Sequence, residues 1–162
     1  ESKNVFEFGS GYSTHVILHA LEKTGGELTS VDVTNYTDNP NVTQFSHNRD
    51  RWNFYNGNSN DIFSDEDVKF EQYDLILHDG SHIGDEVLVD LNNIYPYLKH
   101  DGILITHDTR HHTLGEGMMG AVEEFAKDKD LETCTLPYGY GLTFFRNKGN
   151  IDNKVNLTWR KK

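Results

Sequence analysis

Basic residues are scarce in this sequence. Lys and Arg number 15 against 26 Asp and Glu, a formal net charge of -11, and the pI is about 5.1. A phosphate-backbone binder needs a basic face to displace counterions, and a membrane-surface module needs a polybasic patch. Neither is present, so no nucleic acid and no membrane partner is expected. Cysteine is nearly absent. Cys134 alone cannot close an internal disulfide, which fits a reducing compartment and a cytoplasmic location. No apolar run approaches the roughly 18 residues of a membrane span, and the first residues do not read as a signal peptide. Hydrophobic residues make up only 35%, yet aromatics reach 12%, too many for a disordered chain. A length of 162 residues accommodates one domain and one core. Glu1–Asn4 is too short to form an element before the first strand. The expectation is a single domain over residues 1–162, without an N-terminal helix of its own.

What is present is an alternation of apolar bursts and helical patterns, the signature of a parallel α/β sheet. Strands are expected at Val5–Phe8, Leu28–Val33, Trp52–Tyr55, Tyr73–Leu77 and Gly102–Thr106. Leu131–Leu136 and Leu142–Arg146 have no helix between them and read as a terminal hairpin, with one strand antiparallel to the rest. A further edge strand is expected around Val155–Trp159. The first helix follows Gly9-Ser10-Gly11, with Ser13 or Thr14 as its cap. It carries Val16, Ile17, Leu18, Ala20 and Leu21, and Gly25-Gly26 stops it. A weak helix is expected over Gln44–Arg51, a short turn near Asp61–Phe63, and longer helices over Asp85–Leu98 and Gly117–Lys127.

Open α/β sheets bind ligands beyond the carboxyl ends of their strands. The five parallel strands deliver polar groups to that rim in turn: Glu7, Gly9, Gly11 and Ser13; Asp32; Gly57, Asn58, Ser59 and Asn60; Asp79 and His82; then His107, Asp108 and Thr109. Glycines at 9 and 11 let a ligand approach the backbone and leave helix N–H groups free for an anion. Asp32 stands about 20 residues on, where an acid grips a ribose diol. A nucleoside ligand follows. A nicotinamide cofactor is disfavoured, because Thr14 occupies the third glycine position of the G-x-G-x-x-G fingerprint. Asp79 and Asp108 end neighbouring strands, and two adjacent carboxylates repel unless a cation or a proton lies between them. Mg²⁺, Mn²⁺ or Ca²⁺ would suit such oxygen donors. His82, His107, His111 and His112 cluster nearby in sequence. They offer a general base, or nitrogen ligands for zinc or iron.

These segments resemble a known family. Glu7-Phe8-Gly9-Ser10-Gly11-Tyr12-Ser13 is similar to the first motif of class I S-adenosylmethionine-dependent methyltransferases. Gly57-Asn58-Ser59-Asn60-Asp61, Tyr73 through His82 and Leu98 through Thr109 resemble motifs of the catechol-type, metal-dependent O-methyltransferases and their small bacterial relatives. Gly139-Tyr140-Gly141-Leu142 is similar to the closing hairpin of those relatives. The resemblance covers about residues 5–146. It implies a Rossmann-like, mostly parallel seven-stranded sheet with a terminal antiparallel hairpin and helices on both faces.

The resemblance also implies roles. Glu7 would face the methionine amino group of S-adenosyl-L-methionine. Gly9, Ser10 and Gly11 would pass beneath the cofactor, and Ser13 would bind its carboxylate. Asp32 would hold the ribose, and Asn58, Ser59 and Asn60 would border the adenine. Asp79, also at the cofactor, would join Asp108 as a ligand of a divalent cation such as Mg²⁺. Thr109 falls at the place of a third, amide ligand, and His82 at the place of a catalytic lysine. The expected reaction is O-methylation of a small-molecule hydroxyl, a sugar or a secondary metabolite. Asp79 would position the acceptor, and His82 would be the base with His107 as substitute. Two alternatives stay open, a metal-dependent hydrolase using the His/Asp rim and a non-catalytic nucleoside-binding subunit; a homo-oligomer is a further partner expectation.

Overall fold

The computed structural model describes residues 2–37, 49–110 and 117–149. The expected edge strand near residues 155–159, most of the helix expected over 44–51, and His111 and His112 lie outside the described residues.

Strand β1 (Asn4–Phe8) shows how the core is divided. Alternate side chains of a strand point to opposite faces. Val5 therefore meets Leu18 and Leu21 of helix α1 (Tyr12–Thr24) and Leu28 of β2 (Glu27–Asp32). Phe6 and Phe8 enter the larger core on the other face. That core takes Val87, Leu91 and Ile94 from helix α3 (Gly84–Ile94), and Met118, Val122 and Phe125 from α4 (Met118–Ala126). Helices thus cover both faces, as expected. The remaining elements are β3 (Trp52–Asn56), the short helix α2 (Ser59–Ile62), β4 (Tyr73–His78), β5 (Leu98–His107), β6 (Leu131–Leu136) and β7 (Leu142–Asn147).

The seven strands lie in the order β3-β2-β1-β4-β5-β7-β6. The first five pair in parallel, and β7 runs antiparallel to both β5 and β6. The chain steps outward from β1 to β3, then returns to lay β4 on the other side of β1. The helices therefore diverge between the carboxyl ends of β1 and β4, which opens a crevice there. Among the described residues, no helix is long and apolar enough to cross a membrane.

Three local expectations are corrected. Gly11, not Ser13 or Thr14, is the residue before α1; Thr14 reaches back from the first turn, and its Oγ1 accepts from the Gly11 N–H at 2.9 Å. Val16 is 71% exposed, because the buried stripe of α1 is Thr14, Leu18 and Leu21. The helix expected to reach Leu98 ends at Ile94. Pro96 cannot continue an α-helix, so Tyr95–Tyr97 forms a 3-10 turn. Leu98 then begins β5, paired with Tyr73.

Phe125 is fully buried and sits edge-on to Phe145 at 5.2 Å and to Tyr95 at 5.7 Å between ring centres. Phe125→Ala should cost about 3–5 kcal/mol, read as a lower urea midpoint with unchanged slope. A loss below about 1 kcal/mol would show that α4 is not anchored through this ring.

Candidate active site

The crevice holds a cavity of about 400 Å³. Phe8, Gly9 and Ser10 line it from β1 and its turn, and Val31, Asp32, Val33 and Tyr36 from the end of β2. Gly57, Asn58 and Ser59 follow β3, Asp79, Gly80 and Ser81 follow β4, and Glu86 and Asp90 project from α3. Gly9, Ser10, Asp32, Asn58, Ser59 and Asp79, expected separately from sequence, therefore share one space. Glu7, Gly11, Ser13 and Asn60 are not among the residues that line it; the Asn60 N–H is taken by the Asn58 side chain at 2.9 Å.

Gly9 makes the geometry attainable. Its φ is +79°, and a Cβ there would fall 2.2 Å from the Asp79 carbonyl oxygen. The Gly9 N–H donates to Val31, and the Asp79 N–H donates to Phe8. The next residue secures Asp32: the Ser10 N–H donates to Asp32 Oδ2 at 2.7 Å, and the Thr34 N–H to Oδ1 at 2.7 Å. Each carboxylate oxygen keeps a further lone pair.

Glu7 points from β1 under the first turn of α1 and is fully buried. Ser13 Oγ donates to its Oε1 at 2.6 Å and Thr14 Oγ1 to its Oε2 at 2.7 Å. Burial pushes the Glu7 carboxyl up to about 7, against the pull of those two hydroxyls. The Ser13 hydroxyl, expected to bind a cofactor carboxylate, thus spends its proton on Glu7.

Beyond the cavity, two histidines and two aspartates interlock. His107 Nδ1 lies 3.0 Å from Asp79 Oδ1 and 3.1 Å from Asp108 Oδ1. His82 Nε2 lies 3.1 Å from Asp108 Oδ2. Donor atoms of Asp79, His82 and His107 fall within 4.8 Å of one another. Asp108 adopts a left-handed backbone, φ 54°, and its buried Oδ1 has only the 3.1 Å His107 contact, which lacks hydrogen-bond geometry. Cis donors on an octahedral cation at about 2.1 Å stand roughly 3.0 Å apart. The 3.0 Å between Asp79 Oδ1 and His107 Nδ1 matches that spacing, and the donors close enough to share one ion are those of Asp79, His82 and His107.

Thr109 does not join them, which corrects its expected place as a ligand. It is buried, and its Oγ1 accepts from Thr143 Oγ1 at 3.0 Å. Gly141 packs against it, leaving a Cβ there only 2.9 Å from that oxygen. The hairpin that closes the sheet holds this side chain away from the rim.

One buried pair was not expected from sequence. His78 Nε2 and Asp90 Oδ2 lie 3.0 Å apart, both side chains 1% exposed. Asp90 follows Val87 by three residues, so it shares the buried face of α3; that spacing was its one available signal.

A methyltransferase-domain family matches residues 6–109 of the chain. The chain belongs to that family. Its fold is that of the class I, S-adenosylmethionine-dependent methyltransferases. The SAH-bound Podospora anserina methyltransferase PaMTH1 is 20% identical and superposes with a TM-score of 0.71, over 91% of this chain and 73% of that one. A putative caffeoyl-CoA O-methyltransferase from Staphylococcus aureus is 19% identical, with a TM-score of 0.67 over 90% and 76%. MycE of the mycinamycin biosynthetic pathway, in complex with Mg and SAH, is 17% identical, with a TM-score of 0.66 over 94% and 46%. No curated protein sequence is significantly similar.

Glu7 gives this methyltransferase a measurable pH dependence. Its carboxyl titrates near 4.5 when unfolded and near 7 when folded, so the folded state holds the proton more tightly. The resulting stability is fully present below 4.5 and is lost as pH rises to 7. A shift of that size corresponds to about 3 kcal/mol. Urea unfolding of the ligand-free protein should show Glu7→Gln losing less stability than the parent between pH 4.5 and 8. Parallel curves would disprove the assignment.

Proposed function

We propose that the chain transfers a methyl group from S-adenosyl-L-methionine to a hydroxyl of a small molecule. One observation carries the reading: Asp79 lines the cofactor-sized cavity and also forms part of the His/Asp cluster, so a nucleoside site and a proton-handling site meet at one carboxylate. Asp32 accepts the ribose hydroxyls, and Asn58 and Ser59 border the base. Asp32 and Asp79 set a negative field around a cationic sulfonium, to which Glu7 adds when ionised. The methyl carbon–sulfur bond breaks as the carbon–oxygen bond forms. The sulfonium is already activated, so the protein supplies orientation and a deprotonated acceptor.

His82 takes the acceptor proton, its ring oriented by Asp108 Oδ2. This is the arrangement in which a carboxylate fixes the tautomer of a base and stabilises its charged form. Asp79 and His107 position the acceptor oxygen. A divalent cation would be held by Asp79 Oδ1 and His107 Nδ1, beside the Asp108 carboxylate. Bound there, it would lower the pKa of the acceptor hydroxyl. With an imidazole in the donor set, Mn²⁺, Fe²⁺ or Co²⁺ suits it better than Mg²⁺.

Titration calorimetry should show micromolar binding of S-adenosyl-L-methionine; no binding would sink the proposal. With labelled cofactor and a panel of phenols and sugars, His82→Ala should lower methyl transfer about 10²–10⁴-fold while leaving cofactor affinity within about twofold of the parent. Cofactor binding with no acceptor methylated would instead favour a nucleoside-binding subunit.

A further inference from the structure

The least explained group in the cavity wall is Asp90. A carboxylate halfway along a helix and 1% exposed is a rare placement, tolerated when the charge is partnered. His78 supplies half of that requirement through Oδ2, at 3.0 Å. Asp90 Oδ1 is buried and has no hydrogen-bond partner. A buried acceptor left bare loses its hydration without compensation. Asp90 nevertheless belongs to the cavity wall, so the missing donor can come from a ligand that packs closely against that wall and displaces no protein partner of Oδ1.

The surroundings define what that ligand part must be. Phe8 and Val31, both nearly fully buried, give the same cavity an apolar lining, and Phe8 lies 4.9 Å from the His78 ring that braces Asp90. Asp32, the ribose acceptor of the proposed reading, lines the same cavity. The fitting group is a flat heteroaromatic ring that presents an N–H donor and is joined to a sugar. A 6-aminopurine has such a donor in its exocyclic amine; a 6-oxopurine has an acceptor at that position and would face the carboxylate oxygen with another lone pair.

We infer that Asp90, braced by His78, is the specificity-determining residue that accepts a hydrogen bond from the 6-amino group of the cofactor's purine and excludes 6-oxopurines. The inference rests on the proposed S-adenosyl cofactor. Asp90 binds the base and stays distant from the reacting carbon and oxygen, so its effect falls on cofactor choice.

The experiment compares three ligands by calorimetry: S-adenosylhomocysteine, its 6-oxo analogue S-inosylhomocysteine, and the analogue with hydrogen at purine position 6. The unaltered protein should favour the amino ligand over both others by about tenfold or more, since a site built to pair a polar group rejects ligands lacking it. In Asp90→Asn, the side-chain oxygen keeps the His78 contact and the amide NH2 faces the ligand. The preference over S-inosylhomocysteine should shrink to about one or invert. Asp90→Ser provides a second, smaller neutral variant and should also lose the preference. Far-UV circular dichroism checks that each variant is folded. A merely structural Asp90 would weaken all three ligands together and leave their ratios intact, and that result would overturn the inference. Equal binding of the three ligands by the unaltered protein would overturn it without any variant. No binding of S-adenosylhomocysteine would overturn the proposed function itself, an outcome distinct from binding without discrimination.

Discussion

The site depends on the contact between the turn after β1 and the end of β4. Gly9 lies so close to the Asp79 carbonyl that no other residue fits, and the strands exchange further backbone hydrogen bonds around it. This contact sets how far the two loops splay and therefore how wide the cavity opens. It also fixes Asp79, whose side chain belongs to the cavity wall and to the His/Asp cluster at once. Moving that backbone by an ångström would disturb both the nucleoside site and the proton-handling site. Parallel strand order alone does not achieve this. It creates a crevice, and a single glycine at a left-handed φ lets the chain exploit it.

Around that contact, acids accumulate. Glu7 lies beneath the turn, Asp32 and Asp90 line the cavity, and Asp79 and Asp108 stand at its outer end. In a chain of net charge -11, this concentration is unfavourable unless something positive enters. A sulfonium cofactor and a divalent ion are the two cationic partners of the proposed reading. Glu7 expresses the same conflict internally: burial pushes its carboxyl up to about 7 even though two hydroxyls donate to it.

Much of this was legible in the sequence, and the reason differs from residue to residue. The apolar run Val5–Phe8 marks β1 as a buried strand, while its division of the interior into two clusters, Val5 on one face and Phe6 and Phe8 on the other, follows from the packing. The chemistry at each strand end was legible because strand ends in such sheets share one rim. Residues whose role depends on a distant neighbour were harder to place. Thr109 follows Asp108 directly, yet the β7 hairpin captures its hydroxyl through Thr143. His78 and Asp90 are twelve residues apart on a strand and a helix, and only the packing of α3 on β4 joins them. The end of α3 was misplaced because Tyr95 and Tyr97 continue the apolar pattern across Pro96.

Several of these polar groups share one property: the folded chain alone does not fully satisfy them. Asp90 Oδ1 has no hydrogen-bond partner and Asp108 Oδ1 only a poorly aligned His107 contact, and Glu7, though two hydroxyls donate to it, is buried enough to hold its proton beyond the ordinary carboxylate range. A sequence optimised for stability alone would replace such groups with apolar side chains of similar volume. Local rules tend to be broken where function requires it, and here Asp90 belongs to the cavity wall and Asp108 to the neighbouring His/Asp cluster. Ligand binding would relieve them together, so the cavity is expected to be least stable empty and most ordered when filled. The same unsatisfied groups that make the empty site costly provide its selectivity, because only a ligand with donors and positive charge at matching positions removes the cost.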